Sequence, residues 1–584
     1  MGFEVEIMHI PFKMHYMIIA FSVLIVLLAL CPAPSHAETF DVLLRGGSIM
    51  DGSGMPAVRA DLAIRDGRIA VIGLIEGGTA TTVIDATGLI ITPGFIDLHS
   101  HADGSKASGG LRSRDPERRA ALNLVSQGIT TVTVNPDGRS PYSVADQRNE
   151  LEATDFGPNV ILMAGHNTIR SQVMRASHER IATGEEISAM RRLVAEAMDA
   201  GAFGMTAGLE YVPGRWSNTE EVIELAKEIA PYGGSYIVHE RASGVDPMWF
   251  VPSQDHSKPP SMIDNIRELI EVSDRTGITV VATHIKARGT DFWGSGEEMV
   301  TLINKARERG VPIYADQYPY TTSGSDGRCV LIPSWIRHGE TDSSGRRLNH
   351  AEALTNALAD PQLVDLIRGD IAHEMRRRGG PENIVVMEYS NEDYVGKDLF
   401  TLACDRELSP VDFAIALQLE GDTDRPGGAQ LRSYSMSEED VERFAAEPWT
   451  ATASDADITL QTDGRVHARF YGTFPRKIRR YALDRGILTV EQAVRSMTSL
   501  PADILGLRAR GLIRVGHHAD IAVLNLETIR DTATFFEPHQ YAEGIEHVFI
   551  GGTPVVADGK PTSRRPGQVI VRPERIERPA MLAD

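Results

Sequence analysis

The sequence predicts an α/β protein: a (β/α)₈ barrel with a small β-sandwich built from both chain ends and an inserted subdomain between barrel strands seven and eight. Three observations predict this fold. Short apolar runs alternate eight times with helical patterns in the middle of the chain, Gly-punctuated alternating runs occur near both ends, and a long stretch separates the last two strand patterns. Repeated strand–helix alternation is typical of parallel barrels.

The chain of 584 residues is long enough for more than one domain, because domains usually span about 100–200 residues and α/β barrels about 250. Hydrophobic residues make up 42%, which argues against extensive disorder. We expect four parts in chain order: a signal peptide at 1–37, a first part of the sandwich at 38–92, the barrel with its insertion at 93–505, and a second part of the sandwich with a C-terminal tail at 506–584.

The N-terminal segment has the pattern of an export signal. Lys13 precedes the apolar run MIIAFSVLIVLLAL, and the residues Ser35-His36-Ala37 form a small-x-small cleavage pattern. The run is short for a membrane span, which needs about 20 residues. We therefore predict a cleaved signal peptide and a periplasmic or secreted protein. Two alternatives stay open: an uncleaved anchor, which would make this segment the one contact with a membrane, and lipidation at Cys31.

The composition excludes some classes of partner. The formal net charge is −21, from 59 basic and 80 acidic residues. A nucleic-acid partner requires basic patches, so this balance argues against one and is typical of a soluble protein. The three cysteines are Cys31, Cys329 and Cys404. Without the signal peptide they allow one bridge at most, so disulfides do not organise this fold. The sequence does not indicate an oligomeric state.

Both chain ends carry hairpin signals. Near the N-terminus the runs DVLLRGGSIMDG, DLAIRDGRIAVIG and TVIDATGLIITPG are punctuated by Gly or Asp-Gly. Matching runs near the C-terminus are ADIAVLNLE and HVFIGGTPVVADGK. Two β-rich ends around a long middle predict one sandwich assembled from both termini.

The barrel strands are predicted from eight short apolar runs. They lie at 94–98, 130–134, 160–164, 204–207, 236–238, 279–283, 312–315 and 450–453. Helical patterns between them include ISAMRRLVAEAMDAG, EEVIELAKEIAPYG and MVTLINKARERG, each ending near Gly or Pro. The stretch at about 328–448 holds its own helix and strand signals, such as NIVVMEYS. A loop this long is usually functional or separately folded, so we interpret it as a subdomain beside the barrel mouth, with a lid as one possible role.

Potential metal ligands follow four of these strands. His99 and His101 follow the first strand and lie two residues apart, which places both side chains on the same face. His239 follows the fifth strand, His284 the sixth and Asp455 the eighth. Each alone has an ordinary structural explanation, such as a helix cap for the aspartate. Active sites of barrel enzymes lie at the carboxyl ends of the strands. The occurrence of these five residues after four of the strands therefore predicts a site for zinc or a similar divalent ion.

The same arrangement resembles the amidohydrolase superfamily, in which HxH lies on strand one, His on strands five and six, and Asp on strand eight. ITPGFIDLHSH, GLEYVPG, VVATHIKARG, VHARFYGTFPR and the C-terminal SMTSLPADILGLRARGLIRVGHHADIAVLNLE are similar to the D-aminoacylase branch, the N-acyl-D-amino-acid deacylases. The resemblance covers nearly the whole chain after the signal. It implies that His99, His101 and Asp455 hold one metal position, and that His239 and His284 hold the other.

One position departs from the branch. The branch carries a cysteine after strand two in a sequence like GNCG, whereas this chain reads NPDG, with Asp137 where the cysteine would stand. A carboxylate can replace a thiolate ligand, but it is harder and changes the metal preference. Glu210, at the end of strand four, is a rival bridging ligand, and either residue could instead contact another ligand or the substrate. The number of metal ions, one or two, therefore stays undecided, and zinc is the expected metal.

The predicted ligand set implies a reaction. A divalent ion lowers the pKa of bound water from about 15.7 towards about 7 and polarises an amide carbonyl. Asp455 would be the catalytic residue that accepts the water proton and delivers it to the leaving amine. No GxSxG elbow is present, so a covalent acyl-enzyme is not favoured. The resemblance implies deacylation of an N-acyl-D-amino acid by the hydroxide formed on the metal.

Two cations are candidates for a substrate carboxylate. Lys286 lies two residues after His284 and points to the same face if the strand continues. Arg469 lies just beyond Asp455, and the resemblance implies a carboxylate contact there. An Arg fork binds carboxylates bidentately. The alternative for each is an ordinary solvated charge.

Further substrate-binding candidates are less specific. Tyr318 and Tyr320 follow strand seven and could donate to the carbonyl oxygen, or pack in the core with satisfied hydroxyls. His166, after strand three, either faces the pocket or holds a loop. Ser323 and Arg443 are weaker candidates.

The sequence leaves two other functions to consider. The same metal chemistry would serve hydrolysis of a cyclic amide or of a dipeptide that contains a D-residue. A non-catalytic binding protein on this scaffold is disfavoured, because a degenerate site is expected to lose at least one ligand.

Overall fold

The computed structural model describes residues 39–104, 110–324, 329–337 and 341–572. The predicted signal peptide at 1–37 and the end of the predicted C-terminal tail lie outside these residues. The strands are β1 Thr39–Ile49, β2 Val58–Arg65, β3 Arg68–Gly73, β4 Thr79–Asp85, β5 Ile90–Pro93, β6 Phe95–Asp97, β7 Ile129–Thr133, β8 Asn159–Ile161, β9 Ala164–Gly165, β10 Gly204–Gly208, β11 Ser235–His239, β12 Thr279–Ala282, β13 Ile313–Gln317, β14 Ile384–Glu388, β15 Gln430–Ser433, β16 Thr450–Thr452, β17 Ile521–Leu524, β18 Ile545–Ile550, β19 Thr553–Ala557, β20 Lys560–Pro561 and β21 Val569–Ile570.

Most helices lie between the barrel strands or in the insertion. They are α1 Pro116–Arg119, α2 Leu122–Val125, α3 Val144–Glu152, α4 His166–Met174, α5 Gly184–Asp199, α6 Thr219–Ile229, α7 Met262–Thr276, α8 Gly296–Glu308, α9 His350–Leu358, α10 Pro361–Arg377, α11 Leu399–Asp405, α12 Pro410–Glu420, α13 Glu438–Ala446, α14 Arg469–Arg476, α15 Val490–Met497 and α16 Ser499–Leu505. A π-helical segment, Lys477–Asp484, continues α14. Within the described residues, no helix is long and apolar enough to cross a membrane.

The predicted barrel is present. Its strands follow the order β6, β7, β8 with its continuation β9, β10, β11, β12, β13 and β16, and every hydrogen-bonded neighbour is parallel. The first and eighth strands meet through the segments that follow them: Asp455 N donates to His99 O and His101 N donates to Ala456 O, both at 2.9 Å. This closure joins the two ends of the barrel where the predicted ligands lie.

Helix α5 shows why the helical patterns form as predicted. It begins at a capping box between Thr183 and Glu186, which satisfies backbone donors of the first turn. Met190, Val194 and Ala197 recur at helical spacing and are buried on the barrel side. Gly201, with φ +97°, follows its end. Helices of this kind form the outer layer that holds the strand ends in place.

Strands from both chain ends form one network of nine hydrogen-bonded strands. β1–β5 supply the N-terminal part and β17–β20 the C-terminal part, and the two parts join where β5 pairs antiparallel with β17. One apolar cluster draws Leu44 and Leu62 from the first part and Ile521 and Phe549 from the second. The chain returns to the barrel beyond this sheet, because β21 pairs in parallel with β8. The stretch predicted as sandwich and tail at 506–584 therefore also supplies a strand to the barrel wall.

The insertion between β13 and β16 has a hydrophobic core of its own. This core includes Leu354, Ile371, Phe413 and Leu431, and it lies beside the antiparallel pair β14–β15. Helix α13 is part of the barrel layer instead, since its Phe444 belongs to the barrel core. The separately packed unit is therefore shorter than the predicted 328–448.

Candidate active site

The predicted ligands meet at one end of the barrel. His99, His101, His284 and Asp455 follow the carboxyl ends of β6, β12 and β16, and His239 is the last residue of β11. All of them except His99 line a cavity of about 230 Å³, and His99 Nε2 lies 3.5 Å from Asp455 Oδ1 in its wall. The loop after β7 adds Asp137 to its wall. Barrel enzymes place their chemistry at this end of the strands.

His99 and His101 both turn towards Asp455. His101 Nε2 lies 3.1 Å from Asp455 Oδ1, and His99 Nε2 lies 3.5 Å from the same oxygen. The other ring nitrogen of His99, Nδ1, lies 2.6 Å from Thr283 Oγ1, whose hydroxyl donates to Asp316 Oδ2 at 2.6 Å. This chain of contacts fixes the His99 ring so that Nε2 faces the carboxylates of Asp137 and Asp455.

Asp137 lies at the centre of the four imidazoles. Its carboxylate oxygens are 3.7 Å from His99 Nε2, 3.5 Å from His101 Nε2, 3.5 Å from His239 Nδ1 and 3.8 Å from His284 Nε2. Burial alone raises the pKa of Asp137, but the adjacent His239 and His284 rings hold it well below its usual value. A carboxylate that reaches all four rings is placed to bridge two cations.

The backbone at the site is held in uncommon conformations. His284, Asp137 and Asp455 have φ values of 37°, 56° and 50°, in the left-handed region. Such strain persists only where surrounding structure imposes it, and it concentrates at functional sites. Close packing contributes here, because a Cβ on Gly208 of β10 would lie 2.3 Å from the carbonyl oxygen of Asp137.

The donor set fits a divalent metal. His99 Nε2 and Asp137 Oδ1 are buried, and neither has a hydrogen-bond partner within the described residues. Two groups of three ligand atoms lie within 4.8 Å of one another: His99, His101 and Asp455, and His99, Asp137 and His284. A buried ring nitrogen and carboxylate oxygen without partners are costly unless a cation occupies the space between them. Imidazole and carboxylate ligands are those that zinc takes.

The sequence left Glu210 as a possible bridging metal ligand, but its carboxylate lies on the other side of the His239 ring from Asp137. Its Oε2 lies 2.9 Å from His239 Nε2, the ring nitrogen on the far side from Asp137. Its Oε1 accepts from the backbone N–H of Met248 and lies 3.5 Å from Arg288 Nη2. Glu210 therefore orients His239 and leaves Nδ1 directed at the cluster, because a carboxylate on one ring nitrogen fixes which nitrogen can bind a metal.

Comparison with known proteins agrees with this geometry. The amidohydrolase family model matches residues 82–219 and 413–556. The D-aminoacylase of Alcaligenes xylosoxydans xylosoxydans is 32% identical over 561 residues, which cover 92% of this chain and 99% of that protein. The N-acyl-D-aspartate deacylase of the same organism is 30% identical over 568 residues, covering 93% of this chain and 97% of the relative. The chain belongs to the D-aminoacylase branch of the amidohydrolase family.

A solved structure supports the same placement. The N-acyl-D-glutamate deacylase of Bordetella bronchiseptica, complexed with zinc and a phosphonate mimic of the tetrahedral intermediate, matches with a TM-score of 0.69 and 28% identity. The match covers 92% of this amidohydrolase and 100% of that chain.

Asp455 of this amidohydrolase is held by a cation. Arg469 Nη1 lies 3.0 Å from Asp455 Oδ2, while Oδ1 faces His99 and His101. Burial alone raises the pKa of Asp455, but Arg469 and the two histidines hold it well below its usual value. The carboxylate is therefore ionised at neutral pH and able to accept a proton.

Lys286 and Tyr318 join Arg469 on the cavity wall. Lys286 Nζ lies 2.7 Å from His284 Nδ1, and burial lowers the pKa of Lys286 to about 8. The Arg469 guanidinium lies over the Tyr318 ring, 4.4 Å from its centre. Two cations and a phenol thus lie within reach of the metal ligands, as the sequence predicted.

Other predicted substrate residues lie elsewhere. His166 is fully buried, and its Nε2 lies 2.8 Å from Glu221 Oε1. The prediction that it binds substrate in the cavity is therefore wrong. His166 is the first residue of α4, and it packs against α6. Tyr320 packs against His467 at 5.3 Å between ring centres and does not line the metal cavity. Arg443 forms an ion pair with Glu439 on α13, also away from the cavity.

The structure adds cavity residues that sequence reasoning missed, and it retains one weak candidate. Ser323 lines the cavity, as do Arg288, Arg378 and Tyr211. A sequence signal for Arg288 existed, because it lies two residues beyond Lys286 and an extended segment presents both side chains to the same face. Arg378 could not be found this way, since it follows α10 in the insertion and reaches the cavity only through tertiary packing.

Proposed function

We propose that this amidohydrolase hydrolyses a linear amide, that of an N-acyl-D-amino acid, to a carboxylate and a free D-amino acid. One observation carries the proposal: four imidazoles and two carboxylates converge on one cavity at the carboxyl ends of the barrel strands. Relatives named D-aminoacylase and N-acyl-D-aspartate deacylase match over more than nine-tenths of the chain.

The proposed cofactor is zinc, as one or two divalent ions. His99, His101 and Asp455 would hold one position, and His239 and His284 would hold the other, with Asp137 between them. When bound, zinc would polarise the scissile carbonyl and make water acidic enough to deprotonate near neutral pH. The support is the unpartnered His99 Nε2 and Asp137 Oδ1, together with the zinc named for the related deacylase structure.

Asp455 moves the proton in this proposal. Its Oδ2 is paired with Arg469 and its Oδ1 faces the metal ligands His99 and His101, so Oδ1 is the oxygen that would accept a proton from the attacking water and pass it to the leaving nitrogen. The low pKa keeps Asp455 ionised, which is the form that can accept the proton in the first step. General acid–base transfer of this kind contributes about 10²–10⁴-fold to the rate.

The substrate α-carboxylate would lie against Lys286 and Arg469. Both cations line the cavity within a few ångströms of the metal ligands, and Tyr318 lies between them as an aromatic support. A hydroxyl on Tyr318 could also donate to an oxygen of the substrate. This arrangement favours a linear substrate with a free carboxylate over a cyclic amide that lacks such a group to pair with the two cations.

The test is hydrolysis of paired N-acetyl-D- and N-acetyl-L-amino acids by the zinc-loaded protein. We expect turnover of D substrates with little or none of their L counterparts. Turnover of hydantoins or dihydropyrimidines instead would favour a cyclic amide hydrolase, and cleavage restricted to dipeptides with a D-residue would favour a dipeptidase. Bound metal with no hydrolysis of any amide would favour a binding protein.

We also propose that the protein is exported. The support is the apolar run and the small-x-small pattern before residue 38. Fractionation of cells that express the full chain, followed by sequencing of the mature N-terminus, tests this. A mature chain that begins near residue 38 in the periplasm or medium supports export, and an intact N-terminus in the cytoplasm refutes it.

A further inference from the structure

We infer that the preferred substrate has an acidic side chain and that Arg288 binds the side-chain carboxylate. This inference rests on the proposed function and names its substrate class. It follows from the placement, the unused donors and the charge of Arg288 and its neighbours in the cavity.

The first argument is position. Lys286 and Arg288 lie two residues apart on the segment after β12, and both side chains line the cavity. Two residues of extended chain span about 6.6 Å. Lys286 Nζ lies 2.7 Å from the metal ligand His284, whereas Arg288 lies beside Glu210, so the two cations face the cavity at different points. In an acidic amino acid the side-chain carboxylate likewise lies a few ångströms beyond the α-carboxylate.

The second argument is that Arg288 has hydrogen-bond donors to spare. The residue is only 3% exposed, and its Nε has no partner within the described residues. Its guanidinium makes two long contacts, 3.4 Å to the carbonyl oxygen of Asp246 and 3.5 Å to Glu210 Oε1. Glu210 already accepts from His239 and from the Met248 backbone. A buried guanidinium in this state gains most from a carboxylate that can take two parallel hydrogen bonds.

The third argument is charge. Among the described residues that line the cavity, five are cationic (Arg139, Lys286, Arg288, Arg378 and Arg469) and two are carboxylates, Asp137 and Asp455. Asp455 pairs with Arg469 and Asp137 with the histidines. Arg378 pairs with Glu374, and Arg288 makes only its long contact with Glu210, neither of which lines the cavity. The metal ions would add further positive charge. A dianionic substrate matches this surplus better than a monoanion with an apolar side chain.

A competing explanation is that Arg288 only stabilises Glu210 and, through it, the orientation of His239. In that case replacing Arg288 would weaken metal binding and lower turnover of every substrate alike. In the proposed role, replacing it would lower turnover of acidic substrates far more than that of neutral ones. Specificity ratios therefore separate the two roles.

The experiment compares isosteric pairs with the zinc-loaded enzyme: N-acetyl-D-glutamate against N-acetyl-D-glutamine, and N-acetyl-D-aspartate against N-acetyl-D-asparagine. We expect kcat/KM to favour the acid in each pair by about 10- to 100-fold, the usual effect of a charged hydrogen bond. R288Q should reduce this ratio to near one, while R288K should retain part of it. Bound zinc, measured in parallel, should stay close to that of the unmodified enzyme.

Two results would overturn the inference: equal or higher kcat/KM for the amide in each pair, or an equal loss on acid and amide in R288Q together with lost zinc. The ratio in the unmodified enzyme decides the matter even if R288Q does not fold. Failure of the proposed function is distinguishable, because then neither these four substrates nor an apolar one such as N-acetyl-D-leucine would be hydrolysed.

Discussion

Arg469 Nη1 lies 3.0 Å from Asp455 Oδ2, and this contact leaves the second oxygen of Asp455 to face His99 and His101. The Arg469 guanidinium thus determines which oxygen of Asp455 can accept and release a proton. It also holds the pKa of Asp455 low, so that the group is a base before the reaction begins.

The first prediction concerns this proton transfer. Asp455→Asn should lower kcat by about 10²–10⁴-fold, because the amide cannot accept the proton. Much of the bound metal should remain, since His239 and His284 do not depend on Asp455. Steady-state kinetics and metal analysis of the same sample check both points. Full activity in this variant would refute the proton-transfer role.

The second prediction separates a metal ligand from the residue that orients it. His239→Ala should remove most of the bound metal, whereas Glu210→Gln should weaken metal binding by about 10–100-fold, as is usual for a partner of a ligating histidine. Competition with a chelator measures both. A His239→Ala enzyme with normal metal content and activity would show that this histidine is not a ligand.

The third prediction concerns the carboxylate that stands where relatives of this branch are expected to have cysteine. Asp137→Ala should lose at least one metal ion, because two buried positions would lose their shared ligand. Asp137→Cys should restore binding with a shift in preference towards softer metals, since a thiolate is a softer ligand. Metal titrations with zinc, manganese and cadmium test this. Unchanged stoichiometry and preference in both variants would exclude Asp137 as a ligand.

The fourth prediction is a pH dependence. Burial lowers the pKa of Lys286 to about 8, so this side chain is charged below that pH and becomes neutral above it. We expect KM for N-acyl-D-amino acids to rise as the pH passes about 8, as the α-carboxylate loses its partner. Lys286→Arg should postpone the rise, because Arg stays charged.

A substrate without the α-carboxylate, such as an N-acyl-D-amino acid amide, is the matched control for this profile. Its KM should not respond to the titration of Lys286. An equal alkaline rise for both substrates, or the same rise in Lys286→Arg, would assign the effect to another group.

The fifth prediction tests the structural role of His166. Glu221 bonds both His166 and Arg170, and all three side chains are fully buried. Glu221→Gln should lower the free energy of unfolding by about 3–5 kcal/mol, because it leaves a buried guanidinium without its counter-charge. Urea denaturation measures this. The neighbouring Glu220→Gln, at an exposed ion pair, should change stability by less than about 0.5 kcal/mol. A raised KM with unchanged stability in Glu221→Gln would contradict this structural role and support a substrate-binding role for His166.

The histidines could be located from the sequence because the carboxyl ends of all barrel strands lie at one rim. A histidine at the end of a strand, such as His239 or His284, is therefore expected at that rim. It could not assign Glu210, because the choice between the two nitrogens of His239 depends on ring rotation. His166 misled for a related reason: it follows a strand, but it also begins α4, and the helix turns its side chain towards Glu221. Arg378 depends on how the insertion packs, which periodicity does not reveal.

The pairing of β5 with β17 has a consequence for the order of assembly. Thr92 Oγ1 donates to Ala522 O across a separation of 430 residues, so β5, which pairs with β1 as soon as both have emerged, finds its second partner only when synthesis is nearly complete. Loop-closure entropy delays such a long-range contact until the intervening barrel has shortened the effective distance. A nascent chain would thus keep an open sheet edge at β5 until about its last tenth has emerged.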